Sequence, residues 1–214
     1  MKHPSIRAIT GALPTTRLDP ATTALVAIDF QNEYFDGRMP IPDGLAALRQ
    51  ARRLIDWADR HAMPVFHAQH LAPADSPIFA EGSKAFDIHA ELRPAPSHVV
   101  LTKATPSAFA GTPLEAALQA RGIKTLVLTG LMTHMCVSAT AFDAAPRGYQ
   151  SLIVSDACAT RDLDLDDGGL LGHRELHRAA LRGVSDVVAE VRTTDDVLRL
   201  LDAGVESVPA AALN

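Results

Sequence analysis

Three residues able to do acid–base or covalent chemistry end apolar runs in the same way. Asp29 closes ALVAIDF, Lys103 closes HVVLTK, and Cys136 stands a few residues after LVLTG. If the runs are parallel strands, their ends share one edge of a sheet, the edge where ligands bind in open α/β folds. An acid, a base and a thiol could then converge from distant parts of the chain. Cys136 falls near the first turn of a helix-like pattern, against unpaired backbone N–H groups and the positive end of the helix dipole. Both favour thiolate over thiol, so its pKa should be lowered. Each residue alone has a plainer reading. The Asp could be a turn or helix cap, the Lys a solvated strand end, and the Cys a small core residue.

The elements that must position them alternate regularly. Strands are predicted over Thr23–Ile28, Val65–Ala68, Ser97–Thr102, Lys124–Thr129, Gln150–Ser155 and Val187–Val191. Helical spacing marks Asp43–Ala62, where Leu45, Leu48, Ala51, Ile55 and Ala58 share one face, and also Pro113–Arg121, Thr133–Ala145, a segment within Asp166–Arg182, and Thr193–Leu201. Gly122 stops the second of these, and Thr193 or Thr194 caps the last. Strands alternating with helices predict an α/β fold, a three-layer α/β/α sandwich around a six-stranded, mainly parallel sheet with both faces covered. Residues 1–22 carry Pro4, Gly11, Pro14 and Pro20 without periodicity and read as an N-terminal arm. The domain spans 23–204 and a tail follows over 205–214. The proline-rich connection 71–96 is long enough to be a functional loop.

Composition narrows the function classes. The chain has 214 residues, 47% apolar and 21% charged, which suits one soluble α/β domain. Its net charge is −5 and no Lys/Arg cluster stands out, so neither nucleic acid nor an anionic membrane is an expected partner. No apolar run approaches the length of a bilayer span, and Arg7 and Arg17 interrupt any signal-peptide core. Two cysteines without an export signal make the cytoplasm the default location and a disulfide unexpected.

Several residues invite other readings. His134, two residues before Cys136, suggests a Cys–His pair, but reads more simply as a polar residue on an exposed helical turn. Cys158 reads as a small buried residue. RDLDLDDGG, residues 161–169, resembles a calcium loop, but its glycine is displaced and the twelfth position is His173, so an acidic surface loop is the better reading. His173 and His177 are one helical turn apart, yet no third zinc ligand is evident. Phe35, Phe79, Phe109 and Met132 fall on the predicted pocket edge, where apolar walls would suit a small, planar or partly apolar substrate. Core packing is the alternative for each.

Taken together, the segments resemble the isochorismatase-like cysteine hydrolases, a group that includes nicotinamidases, N-carbamoylsarcosine amidohydrolase, ureidoacrylate and biuret hydrolases, and isochorismatase itself. The resemblance covers roughly residues 22–192. Asp29 with Gln31 and Phe35 is similar to the family's Asp segment, KATPSAFAGTPLE to its Lys segment, and GLMTHMCVSATA to its G-x-x-T-x-x-C-V nucleophile segment. Gly148 and Asp156–Ala157 resemble the positions that follow. The resemblance implies Cys136 as nucleophile, Asp29 as proton acceptor and Lys103 as stabiliser of the thiolate. It also implies a cis peptide at Leu131–Met132 and an oxyanion hole from the backbone N–H groups of Met132 and Cys136. Gln31 and His70 join the pocket candidates. Metal-dependent relatives carry Asp-x-His where this chain has His70 and Ala72, so no metal and no other cofactor is expected, and nicotinamide is an unpromising substrate. The implied activity is hydrolysis of a C–N bond in a small amide or ureide through a thioester, by a homo-oligomer. The alternatives are isochorismatase-type hydrolysis of a non-amide substrate and a non-catalytic binding protein on the same fold.

Overall fold

The computed structural model describes residues 3–206. Its strands are β1 (Thr23–Ile28), β2 (Val65–His70), β3 (Val99–Lys103), β4 (Thr125–Leu131), β5 (Gln150–Ala159), β6 (Leu163–Asp164), β7 (Leu170–Leu171) and β8 (Ala189–Arg192). The helices are α1 (Ile6–Ile9), α2 (Gly44–Arg60), α3 (Leu114–Gln119), α4 (Ser138–Ala144), α5 (His173–Val187) and α6 (Thr194–Glu206). Six strands form one sheet in the order β3-β2-β1-β4-β5-β8, every pair parallel; β6 and β7 make a separate antiparallel hairpin. The chain builds outward from β1 to β3, then returns to the other side of β1 with β4. The junction of β1 and β4 is therefore the topological switch point, where an open sheet leaves a crevice.

Both faces of the sheet are buried, which is why its strands read as continuous apolar runs. Along β1 the alternation is visible. Leu25 and Ala27 point into the layer formed by α2 and α6, with Leu48, Leu54, Trp57 and Leu201. Ala24, Val26 and Ile28 point into the layer of α3, α4 and α5, with Leu114, Leu118, Ala141 and Val184.

Several boundaries differ from the sequence expectation. β2 runs on to His70, β3 starts at Val99 and takes in Lys103, β4 reaches Leu131 and β5 reaches Ala159. Ladder pairing carries these strands through polar residues that read locally as strand ends. Between β4 and β5 the register shifts near Leu128 and Gly130, so β5 continues past Ser155. The helix expected within Asp166–Arg182 starts at His173 and runs on to Val187, and 163–171 before it fold back as the β6–β7 hairpin with Gly168 at φ +82°. The helix expected over Thr133–Ala145 is a π turn, Thr133–Val137, followed by α4 and a short 3₁₀ turn containing Pro146. The N-terminal arm contains α1 and lies on its own domain: the Ile6 N–H donates to Asp186, and Thr15 bonds Glu190. α6 continues past Leu201 to Glu206, and the rest of the expected tail, 207–214, lies outside the described residues.

Candidate active site

Asp29 follows the last residue of β1. Its N–H donates to the Ala68 carbonyl of β2, and its backbone sits at φ +54°. Asp tolerates that left-handed conformation better than most residues, and such positions concentrate at functional sites. Lys103 ends β3, two strands away, and its stem reaches across β2. Its Nζ donates to Asp29 Oδ2 at 2.8 Å, to the Thr105 carbonyl at 3.2 Å and to Cys136 Sγ at 3.4 Å. The Lys103 and Asp29 side chains are wholly shielded from solvent, and Cys136 is 6% exposed. The sheet edge thus brings together the acid, base and thiol read from the sequence.

Gly130 makes this approach possible. A side chain there would place its Cβ 2.4 Å from the Ile28 carbonyl oxygen, and φ is +149°. Only glycine lets β4 pass β1 this closely before the chain turns into the nucleophile segment. The Leu131–Met132 peptide that follows is cis.

The electrostatics correct one sequence expectation. The Cys136 thiol is not lowered. Burial pushes it up to about 12, the neighbouring Asp29 adds to the rise, and Lys103 opposes it only in part. The site lacks the solvent access that a thiolate at a helix start enjoys, and desolvation of the thiolate wins. Burial also raises the Asp29 carboxyl, against the pull of Lys103. Asp29 Oδ1 is buried and has no hydrogen-bond partner among the described residues. Lys103 and Asp29 thus form a buried salt bridge beside the Cys136 thiol, made through Asp29 Oδ2.

The pocket candidates fall in different places. His70 is half-buried, with Nδ1 3.5 Å from Lys103 Nζ and its ring 5.1 Å from that of Phe79. Burial and the lysine both hold His70 below its ordinary pKa. Phe79 is buried at φ +51° and meets Tyr34 edge-on at 5.2 Å. Met132 is partly buried against the α2 layer. Gln31 is wholly buried as a clasp: its Nε2 donates to the His70 and Phe86 carbonyls, and its Oε1 accepts from the His70 N–H. Phe109 stacks on Tyr149 at 5.7 Å, under Arg147, in the apolar layer that also holds Cys136. Phe35 turns away from the acid and thiol. Its ring lies tilted against that of His89 at 4.6 Å, and it lines a separate cavity of about 750 Å³ with Lys84 and Arg93. Its neighbour Tyr34 is the residue that the buried Asp29 and Cys136 act on electrostatically, both raising its hydroxyl pKa after burial itself. Counting from Asp29 through Gln31 would have found it, since Tyr34 occupies the sixth place of the segment.

His134 Nδ1 shares a hydrogen bond with Thr160 Oγ1, 2.6 Å away, and the residue is partly buried. Cys158 is buried, with its thiol likewise pushed up to about 12, and has no lysine partner among the described residues. His173 pairs with Asp162 and Asp43, and His177 with Thr133. Among the described residues no three His, Cys, Asp or Glu side chains are grouped to hold a metal ion. At the place where metal-dependent relatives carry their ligands, His70 faces an ammonium and Ala72 offers no donor, so the residues present do not fit a metal.

A thiol, a carboxylate and an ammonium thus meet at the switch point of a doubly wound sheet. The chain belongs to the isochorismatase family: the Isochorismatase domain model matches residues 23–196. It is 36% identical over 180 residues to the uncharacterised isochorismatase family protein YddQ of Bacillus subtilis, covering 83% of this chain and 99% of that one. It is 32% identical to the ureidoacrylate amidohydrolase RutB of Methylobacterium radiotolerans, over 80% of this chain and 79% of the relative. An isochorismatase crystal structure from Pseudomonas putida superposes with a TM-score of 0.85 at 29% identity, covering 92% of this chain and all of that one (100%).

Proposed function

We propose that the protein hydrolyses a C–N bond of a small amide or ureide through a thioester on Cys136. The observation that carries this reading is the Lys103 ammonium, 2.8 Å from Asp29 Oδ2 and 3.4 Å from Cys136 Sγ in a site almost sealed from water. Similarity to an amidohydrolase acting on ureidoacrylate supports the bond class.

With the thiol neutral at rest, proton transfer accompanies attack. Sγ adds to the substrate carbonyl carbon while the thiol proton passes to Asp29 Oδ1. The carbonyl oxygen becomes an oxyanion, for which the N–H groups of Met132 and Cys136 are the proposed donors. Each such donor contributes on the order of 3 kcal/mol when aimed at the oxyanion. Asp29 then gives its proton to the leaving nitrogen, the C–N bond breaks and the amine or ammonia departs. A water replaces it, gives a proton to Asp29 as it attacks the thioester, and the released sulfur regains that proton. Lys103 neither gives nor takes a proton in these steps; it stabilises the sulfur anion and opposes the burial that raises the Asp29 carboxyl.

The test is a panel of small amides and ureides assayed for ammonia release, with Cys136→Ser as control. Turnover by the wild type that the variant lacks is the expected result. A protein that turns over no C–N substrate, or whose Cys136→Ser variant is as active, would overturn the reading.

A further inference from the structure

Thr133 follows Met132 and opens the π turn that carries Cys136. It is buried, 1% exposed. Its carbonyl accepts from Ser138 Oγ at 2.6 Å, so that side is anchored within its own helix. Its hydroxyl leaves the turn and lies 2.8 Å from Nδ1 of His177, on α5. Whichever of the two atoms carries the shared proton, the bond joins the same two side chains. One imidazole thereby ties the residue next to Met132 to α5.

The turn has need of such a tie. Met132 supplies no side-chain cap to it. A π turn has few neighbours of its own kind to stiffen it and is typical of functional positions. Oxyanion donors act only when held about 2.7–3.1 Å from the developing charge, and an error of about 1 Å can cost roughly 10²-fold in rate. His177 also borders a cavity of about 380 Å³ lined by Ala46, Ala47, Cys158 and Ala159, so its ring can be replaced without repacking a full core.

We infer that His177 is a positioning residue for the hydrolytic reaction: through its hydrogen bond with Thr133 it fixes the backbone of residues 132–136, on which the proposed oxyanion donors and the nucleophile stand. This deepens the cysteine-hydrolase reading above and rests on it.

The test compares His177→Ala, His177→Asn, Thr133→Val and the His177→Ala/Thr133→Val double variant for kcat, KM and melting temperature. His177→Ala and Thr133→Val should each lower kcat about 30-fold with KM nearly unchanged, because the donors fail only in the transition state. The double variant should be no worse than either single one, as for two ends of one contact. Asn, whose side-chain amide can stand near the place of Nδ1, should recover most of the loss. A near-normal kcat in His177→Ala, additive losses in the double variant, or a loss that follows melting temperature and is not recovered by Asn would each overturn the inference. Iodoacetamide labelling of Cys136 supplies a readout independent of substrate. His177→Ala should change the Cys136 rate several-fold and leave Cys158 alone; an unchanged Cys136 rate overturns the positioning role. A panel without Cys136-dependent turnover, combined with a changed labelling rate, would remove the amide-hydrolase reading while upholding the contact.

Discussion

At the residue scale, the two cysteines carry the same lesson from opposite sides. Burial raises both thiols to about 12, so acidity at rest does not distinguish them. What distinguishes Cys136 is the ammonium and carboxylate beside it. Cys136→Ala should lose activity by about 10⁴-fold or more, whereas Cys158→Ala should keep it, as steady-state assays will tell. Alkylation of Cys136 should be slow near neutrality and climb with pH, since its raised pKa leaves little thiolate there. Lys103→Met is a second case. The sequence makes Lys103 a strand-end residue that could be lost at little structural cost, but in the fold it neutralises a wholly buried Asp29. Removing one partner of such a pair costs about 3–5 kcal/mol. Urea denaturation should show that loss in Lys103→Met and a partial recovery in Asp29→Asn/Lys103→Met, with both variants inactive. Chelators should leave turnover unchanged, because His70 faces an ammonium and Ala72 offers no donor.

At the scale of elements, β4 and the turn after it decide whether the residues meet. Gly130 brings β4 against Ile28, and its neighbour segment delivers Cys136 to the end of β1. Gly130→Ala would set a methyl group 2.4 Å from a backbone oxygen of the central strand, at a φ that L-residues rarely adopt. The expected cost is on the order of 3 kcal/mol. Because the displaced backbone leads directly to Met132, activity should fall further than the fraction of folded protein does. Parallel measurements of melting and turnover will separate the two effects.

For the whole molecule, acid stability has an identifiable source away from the active site. His67 on β2 is 2% exposed and bonds His98 at 3.0 Å, which in turn bonds Asp59 at 2.7 Å. His98 Nδ1 also accepts from the Ala95 N–H, so His67 must be its donor through Nε2. Burial, then the facing His98, lower the His67 pKa from 6.5 to about 4. The unfolded chain therefore binds more protons between these values. The contribution is complete above about pH 6.5 and is lost as pH falls, reaching on the order of 3 kcal/mol by pH 4. His67→Phe should flatten that part of the stability profile, measured by denaturation between pH 7 and pH 4, while His98 keeps its Ala95 and Asp59 bonds. A profile as steep as wild type would assign the acid sensitivity elsewhere.

The sequence by itself determined the alternation of strands and helices, the parallel sheet with two covered faces, and the three residues at its edge. Those follow from short-range facts: apolar runs of strand length, helical spacing between them, and the rule that parallel strands present all their C-terminal ends together. Tertiary structure alone decided the rest. Strand order puts Lys103 two strands from Asp29, and only the length of its stem closes that gap. The depth of packing over the crevice set the sign of the Cys136 pKa shift, because desolvation depends on layers the local sequence does not contain. Ladder pairing carried β2 through His70 and β5 past Ser155, where side-chain types alone suggest an end. The inward turn of Tyr34 rather than Phe35, and the contact of Thr133 with His177 across 44 residues, arise from how α5 and the 71–96 connection fold back over the sheet edge. These contacts depend on orientation in space, which residue type and spacing do not encode.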